Sequence, residues 1–519
     1  MPIFEKRSTL PVPVEELFAY HARPGAIQRL IPPWQAVKML ENSGHIRDGA
    51  RMVIQMKLGP FKKNWVALHH DYVEGRQFCD RQVSGPFAKW DHTHQFEAGD
   101  APGTSTLTDH IEYELPMGPI GRAVGGGMAR RQLEGMFAFR HRRTRFDLER
   151  HAAYRAMPRL RVAITGATGL LGTALSALLT TGGHTVLPVS RTKLAANSST
   201  IHWNTETGEI DAQAMAGCDA LIHLAGRNIG VRWTKKHRQE IWDSRIPATE
   251  KLCRTIAALP VRPATLICAS GVGIYGNRGD EELTEESTVG DDYPARICKA
   301  WEAATAPAAN AGLRVANIRI GVVLAAQGGA LKKLLPSTRW GLAGPIGGGR
   351  QFLPWISMDD ALGVIYDTLM INTRGPINAV SPQPIRQRDF IQTLAHLLHR
   401  PAIIPMPTPI IRLLFGEMGT TLLLGSIRAQ PTRLLQKQFH YVLPTLADAL
   451  RFELGLIPPY PLYLKVLPHR IILRKFPRRP VAINDLRMLH AHARMRRHRL
   501  RDEHVPIHRR PSADHRPAA

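Results

Sequence analysis

The segment Gly290–Ala304, GDDYPARICKAWEAA, carries a phenol and an ammonium group, Tyr293 and Lys299, in a stretch of helical composition. A phenol whose proton is loosened by a neighbouring cation is a general acid/base suited to carbonyls and carbinols. The two groups must then share a helix face, which an i, i+4 spacing achieves after about 400° of rotation. Here the spacing is six, about 600°, so Lys299 points about 240° away from Tyr293. Pro294 suits a first helical position, which puts Tyr293 at the cap, outside the helix.

A second signature lies upstream. TGATGLLG spaces Gly166, Gly169 and Gly172 as Gly-x-x-Gly-x-x-Gly, after the apolar run Arg161–Thr165 and before a helical pattern. Gly166 lets the chain turn sharply, Gly169 lets the backbone approach a diphosphate, and Gly172 lets helix and strand pack closely. The diphosphate would sit at the helix N-terminus. Gly166, Thr168, Gly169, Leu170, Leu171 and Gly172 are therefore expected to bind a dinucleotide. The next strand ends in VSRTK, offering Ser190, Arg191 and Lys193 to a 2′-phosphate with no carboxylate beside them. NADP(H) is expected in preference to NAD(H).

The elements that must position these groups change in texture near Arg155–Arg159. Over 1–150, period-2 runs such as RMVIQMKLGP and STLTDHIEYELP alternate with Gly/Pro/Asp turns and read as an antiparallel sheet. A helical piece, PVEELFAYHARPGAIQRL, precedes the sheet and a long one, GGGMARRQLEGMFAFRHRRTRFDLERHA, follows it. This α+β order lets the helix cover the sheet and leave an apolar cavity. The HTH triplet sets His92 and His94 on one strand face at a spacing that suits a metal. No third ligand is evident in the sequence, and the expectation is an ordinary half-exposed strand with no metal. From Leu160, short apolar runs such as CDALIHLAG, PATLICASG and LRVANIRIGVVL recur at helix-length intervals, the pattern of a parallel sheet buried on both faces. It is expected to span 160–375, with a small proline-punctuated helical lobe over 376–456.

Bulk properties bound the possibilities. A chain of 519 residues exceeds one hydrophobic core and implies a multidomain protein. With 44% hydrophobic and 21% charged residues it is neither disordered nor membranous. No uncharged apolar run of spanning length occurs, and no secretory signal is visible. The five cysteines lie far apart without a Cys-x-x-Cys pair, which fits a reducing cytoplasm. The formal charge is +25, and residues 461–519 alone hold 15 Lys/Arg against 4 Asp/Glu. The region 457–519 is expected to be a basic, disordered tail. Over 487–519 no aromatics interleave the arginines, which disfavours nucleic acid as the partner.

Two family resemblances follow. LPVPVEELFAYHARPGAIQRLIPPW, GPFAKWDHTHQF and DHIEYELP resemble the START-like (SRPBCC) helix-grip family, which implies a hydrophobic ligand between sheet and helix over 1–150. The glycine spacing, LIHLAG and ICASGVGIYG resemble the extended short-chain dehydrogenase/reductase superfamily, which implies that the backbone of Leu224, Ala225 and Gly226 lines the cofactor. More narrowly, LAGRNIGVRWTKKHRQEIWDSRIPATEKL, CKAWEAAT, GPIGGGRQFLPWISMDDA and HRPAIIPMP, spread over 160–456, resemble its atypical epimerase branch, with a C-terminal domain of unknown function.

The superfamily uses a Tyr-x-x-x-Lys pair and a fourth-strand serine. Aligned on Glu302, its tyrosine falls on Pro294 and its lysine on Cys298. Aligned on Tyr275-Gly276, its serine falls on Gly271, with Ser270 one residue early. Arg245 stands where a structural asparagine is usual. The resemblance therefore implies an NADP(H)-binding epimerase-family oxidoreductase of non-standard mechanism acting on a small molecule. The alternative is a non-catalytic NADP(H)-binding sensor. Tyr275 and Ser270 are the expected catalytic candidates, and Asn228, Arg232, Arg350, Gln351 and Asp359 are expected on the substrate side.

Overall fold

The computed structural model describes residues 1–58, 61–192 and 200–457. Lys193 and all but the first residue of the basic tail fall outside the described residues. Among the described residues no helix is long and apolar enough to cross a membrane.

The first seven strands are β1 (Ile3–Leu10), β2 (Val37–Asn42), β3 (Arg51–Leu58), β4 (Phe61–Val73), β5 (Gln77–Ser84), β6 (Lys89–Ala98) and β7 (Ser105–Glu114). They form one antiparallel sheet in the order β1-β7-β6-β5-β4-β3-β2. The early helical stretch is two helices, α1 (Val14–Ala22) and α2 (Ala26–Leu30), broken at Arg23-Pro24-Gly25. Pro24 cannot donate to a helix, and Gly25 takes a φ of +94° that other residues resist.

The long helix α3 spans Gly118–Ala153, starting earlier than its glycines suggest. It buries two faces. Phe137, His141 and Leu148 meet the sheet side, while Phe139 packs on Phe452 of the C-terminal lobe at 4.8 Å between ring centroids.

The parallel sheet contains β8 (Arg161–Thr165), β9 (Thr185–Ser190), β10 (Ile201–His202), β11 (Ala220–His223), β12 (Thr265–Gly271) and the strands Arg314–Ile320 and Gly375–Ala379. Its order is β10-β9-β8-β11-β12, then those last two strands. The four residues of β11 are all buried, as expected for strands covered on both faces. Gly375–Ala379 pairs with Arg314–Ile320, so the helical lobe begins after Ala379 rather than at 376. The helix α4 (Leu170–Thr181) and the helix Met358–Met370 cover one face; Ile246–Ala258 covers the other.

The two sheets are joined through a buried charge cluster. Arg29 of α2 donates to both oxygens of Asp147 on α3, at 2.8 and 2.6 Å, and to Asp359 Oδ1 at 2.8 Å. Arg143 pairs with Asp359 Oδ2 at 3.0 Å, and Tyr20 donates to Asp147. Two cations balance two anions, the condition under which buried charge is tolerable. Asp359, expected on the substrate side, instead lies in this junction. The same helix α2 abuts α4: a Cβ on Gly25 would stand 2.4 Å from Thr180 Oγ1 and 2.8 Å from the Ala177 carbonyl oxygen.

Candidate functional site

The strand order reverses between β8 and β11, and ligands of open α/β sheets sit at the carboxyl ends of strands at such a point. Three groups of sequence-predicted residues meet there. The first is the turn from β8 to α4. Gly166 has φ +69°, and a Cβ on it would lie 2.9 Å from Ala225 N. A Cβ on Gly172 would lie 2.1 Å from the Gly166 carbonyl oxygen. Thr168 and Gly169 are exposed at the opening of α4, whose first turn holds no acidic residue to oppose an anion. Leu170 and Leu171 pack inward, against the core under α4.

The second group closes β9, where Ser190 Oγ accepts from Thr192 N at 3.1 Å and Arg191 is exposed. The third is Leu224–Gly226 after β11, whose first two N–H groups approach Thr165 Oγ1 at 3.2 and 3.3 Å.

A polar chain that sequence reasoning missed braces this end of the sheet. Thr165 Oγ1 meets His223 Nδ1 at 2.7 Å, His223 Nε2 meets Thr249 Oγ1 at 2.9 Å, and Thr249 Oγ1 accepts from Trp301 Nε1 at 2.9 Å. Burial, reinforced by Arg245, pulls the His223 pKa to about 4 and keeps it neutral. Each member lies on a different element, so no sequence window contains the chain.

The expected catalytic hydroxyls are engaged elsewhere. Tyr275 is fully buried; its hydroxyl donates to Asn378 Oδ1 at 2.7 Å and accepts from Arg319 at 3.0 Å. Ser270 Oγ donates to Glu302 Oε1 at 2.7 Å, and Arg319 grips the same carboxylate at 2.8 and 2.9 Å. Both hydroxyls belong to one buried network, which corrects their assignment as acid/base candidates: neither is free to meet a substrate.

The helix Tyr293–Ala303 starts one residue before the expected position, with Asp292 as its cap accepting from Ala295 N at 2.9 Å. Lys299 is exposed while Tyr293 is half-buried, so the two do diverge. The Tyr293 hydroxyl donates to the Arg238 carbonyl at 2.9 Å. Cys298 is buried, and its Sγ lies 3.5 Å from where a Cβ on Gly271 would be. Burial, with Glu302 adding, pushes this thiol up to about 11. Two cations flank Tyr293: Arg238, whose guanidinium lies over its ring at 4.7 Å, and Arg245. Arg245 stacks over Trp301 at 4.9 Å, and a Cβ on Gly226 would touch its guanidinium carbon at 3.1 Å. Burial lowers the Arg245 pKa, and Cys298 and Tyr293 beside it act in the opposite direction.

Of the substrate-side candidates, two amides are occupied. Asn228 Oδ1 accepts from Gly230 N at 2.8 Å, and Gln351 Nε2 donates to Ile346 and Leu423 carbonyls at 3.0 and 2.8 Å. Arg232 is exposed beside Gly416 of the lobe, its Nε 3.8 Å from where a Gly416 Cβ would be. Arg350 is exposed on the separate glycine loop after Gly349.

Fold and site together define a dinucleotide-binding-type α/β protein carrying a helix-grip domain in front and a small lobe behind. Residues 162–366 match the NAD dependent epimerase/dehydratase family, 406–453 a domain of unknown function (DUF1731), and 10–137 the family described as polyketide cyclase / dehydrase and lipid transport. Epimerase family protein Mb2239 of Mycobacterium bovis is 39% identical over 293 residues, 56% of this chain and 96% of that protein. Epimerase family protein SDR39U1 of Homo sapiens is 35% identical over 297 residues, 56% of this chain and 99% of its own length.

The chain belongs to the epimerase family, with a C-terminal DUF1731 segment and an N-terminal SRPBCC-type domain. The crystal structure of the nucleoside-diphosphate sugar epimerase from Corynebacterium glutamicum matches 87% of this chain and 90% of its own, at 31% identity and a TM-score of 0.72. The human SDR39U1 (isoform 2) structure with NADPH matches 57% of this chain and all of its own, at 34% identity and a TM-score of 0.53.

Proposed function

We propose that this protein is an NADP(H)-binding oxidoreductase of the epimerase family acting on a small molecule by a non-standard mechanism, in which Arg245 supplies the positive charge that a lysine usually supplies. The observation that carries this is the pairing of a neutral, buried Cys298 at the aligned lysine position with the Arg245 guanidinium beside Tyr293 and Gly226.

The residues present fit a dinucleotide. The amides at the start of α4 would meet its diphosphate, Ser190 and Arg191 its 2′-phosphate, and the Leu224–Gly226 backbone its nicotinamide half. The crowding of Gly166 and Gly172 against neighbouring backbone leaves no room for a side chain in that cradle. When bound, the cofactor supplies hydride transfer. Arg245 would polarise a developing oxyanion, and exposed Arg232 would attract an anionic group on the substrate. The N-terminal cavity would take a hydrophobic ligand.

A second reading, a non-catalytic NADP(H) sensor, is favoured by one contact. Helix α2 lines the N-terminal cavity and abuts the C-terminal end of α4 at Ala177 and Thr180, so one helix, α4, runs from the cavity wall to the nucleotide turn at its other end. NADPH oxidation by the full chain against a panel of carbonyl compounds separates the two. An oxidoreductase turns over at least one substrate, and Arg245→Gln lowers kcat/KM about 100-fold with the NADPH Kd unchanged. A sensor binds NADPH, turns over none, and shifts its NADPH Kd when a hydrophobic ligand is added.

A further inference from the structure

His92 and His94 do not stand on an ordinary strand face. In the antiparallel register Asp80 of β5 pairs with His92 of β6, and Asp109 of β7 pairs with His94. Side chains of alternate residues share a face, so all four converge beneath α3. Their side chains are 14, 2, 11 and 3% exposed for Asp80, His92, His94 and Asp109.

The donor atoms have the arrangement of a coordination site. Asp80 Oδ2 lies 3.1 Å from His92 Nδ1 and 3.5 Å from His94 Nε2, and the three groups' ligand atoms all lie within 4.8 Å of one another. Bonds of about 2.0–2.2 Å to a shared ion require donor edges of about 3–3.5 Å. The second nitrogen of each histidine lies near Asp109 Oδ1: His92 Nε2 hydrogen-bonds it at 2.8 Å, and His94 Nδ1 stands 2.6 Å away without hydrogen-bond geometry. His141 of α3 holds the other Asp109 oxygen at 2.6 Å. A carboxylate hydrogen-bonded behind an imidazole, as Asp109 is to His92, is the outer partner that fixes the tautomer of a metal-ligating histidine.

Asp80, His92 and His94 line a cavity of about 240 Å³ walled by Trp65, Phe78 and Met136, whereas Asp109 and His141 do not.

We infer that Asp80, His92 and His94 bind a divalent transition-metal ion of the zinc or ferrous class, with Asp109 as their outer carboxylate. Two imidazoles and one carboxylate leave coordination positions open, and these face the cavity. The ligand class is an apolar molecule bearing one oxygen donor, such as a carboxylate, enolate or phenolate.

The test uses the full chain stripped with chelator and titrated with Zn²⁺ by calorimetry and Co²⁺ by absorbance. The expected result is one equivalent bound, a Co²⁺ d–d band, and no intense thiolate charge-transfer band. Asp80→Asn and His94→Gln should each weaken binding at least about 100-fold, and Asp109→Asn about 10–100-fold. Cys79→Ser should change nothing, because Cys79, which groups with His70 and Asp71, points to the other face of β5. Near-ultraviolet circular dichroism checks that each variant is folded; if one is not, the wild-type Co²⁺ spectrum decides. Failure of the folded wild type to take up one equivalent, a thiolate band, or undiminished binding in folded Asp80→Asn and His94→Gln would overturn the inference. In those cases the cluster is a self-neutralising set of imidazolium–carboxylate pairs.

Discussion

Arg29 and Asp359, 330 positions apart in the chain, share a hydrogen bond of 2.8 Å in which each side chain is almost fully buried. The guanidinium simultaneously forks onto Asp147, so one residue ties the helix-grip domain to the helix Met358–Met370. Burial pushes the Asp147 carboxyl up, but Arg29 outweighs it and holds the group below the usual range. Arg29→Ala leaves Asp147 and Asp359 in the interior with Arg143 as the nearest cation. The expected loss is about 3–5 kcal/mol, read as a lower guanidinium chloride midpoint for the full chain. Arg29→Lys should recover only part of it, because a single ammonium cannot reproduce the planar fork.

Gly172 is the tightest point of the nucleotide turn. A methyl there would stand 2.1 Å from the Gly166 carbonyl oxygen, which is backbone and cannot swing aside. Gly172→Ala should shift the turn and weaken NADPH binding by at least about 10-fold, a loss of about 1.4 kcal/mol. Fluorescence titration of NADPH measures it, and an unchanged Kd would remove this turn from the binding site.

Arg191 decides between the dinucleotides. A charge-assisted hydrogen bond to a 2′-phosphate contributes about 1.5–3 kcal/mol. Arg191→Ala should therefore weaken NADPH about 10–100-fold while leaving NADH within a factor of about two. Equal losses for both would mean that Arg191 supports the fold of the β9 end rather than reading the phosphate.

Glu453, 2% exposed, accepts from Ala326 N at 2.9 Å. Burial pushes its carboxyl from 4.5 to about 7, against the pull of that amide and of Arg143. Between those values the folded chain keeps a proton that the unfolded chain has released. Stability from this group is therefore greatest below about pH 4.5 and falls as pH rises to about 7, by about 3 kcal/mol. Glu453→Gln keeps an acceptor for Ala326 without the charge, so it should flatten that fall and exceed the wild-type melting temperature at pH 8. A variant less stable than wild type at pH 8 would show that the ionised carboxylate is favoured in place.

Much of the architecture was legible because its signals are local. The glycines at 166, 169 and 172 and the apolar runs of β8, β11 and β12 are read within a single window, and so is the divergence of Tyr293 from Lys299. What was not legible depends on register between distant segments. His92 and His94 stand two positions apart in sequence, but Asp80 and Asp109 reach them only through the pairing of β5 and β7 with β6. Tyr275 and Ser270 carry suitable chemistry, yet Asn378 and Glu302 engage them from elements over 30 residues away. Asp359 follows a strand end like a substrate-side residue, and only packing against α2 and α3 reveals its ion pairs.

The most direct measurement is isothermal titration of the purified full chain with NADPH and with NADH under identical conditions. One saturable site, at least about 10-fold tighter for NADPH, is the predicted result. No saturable binding of either dinucleotide, or tighter binding of NADH, would contradict the account.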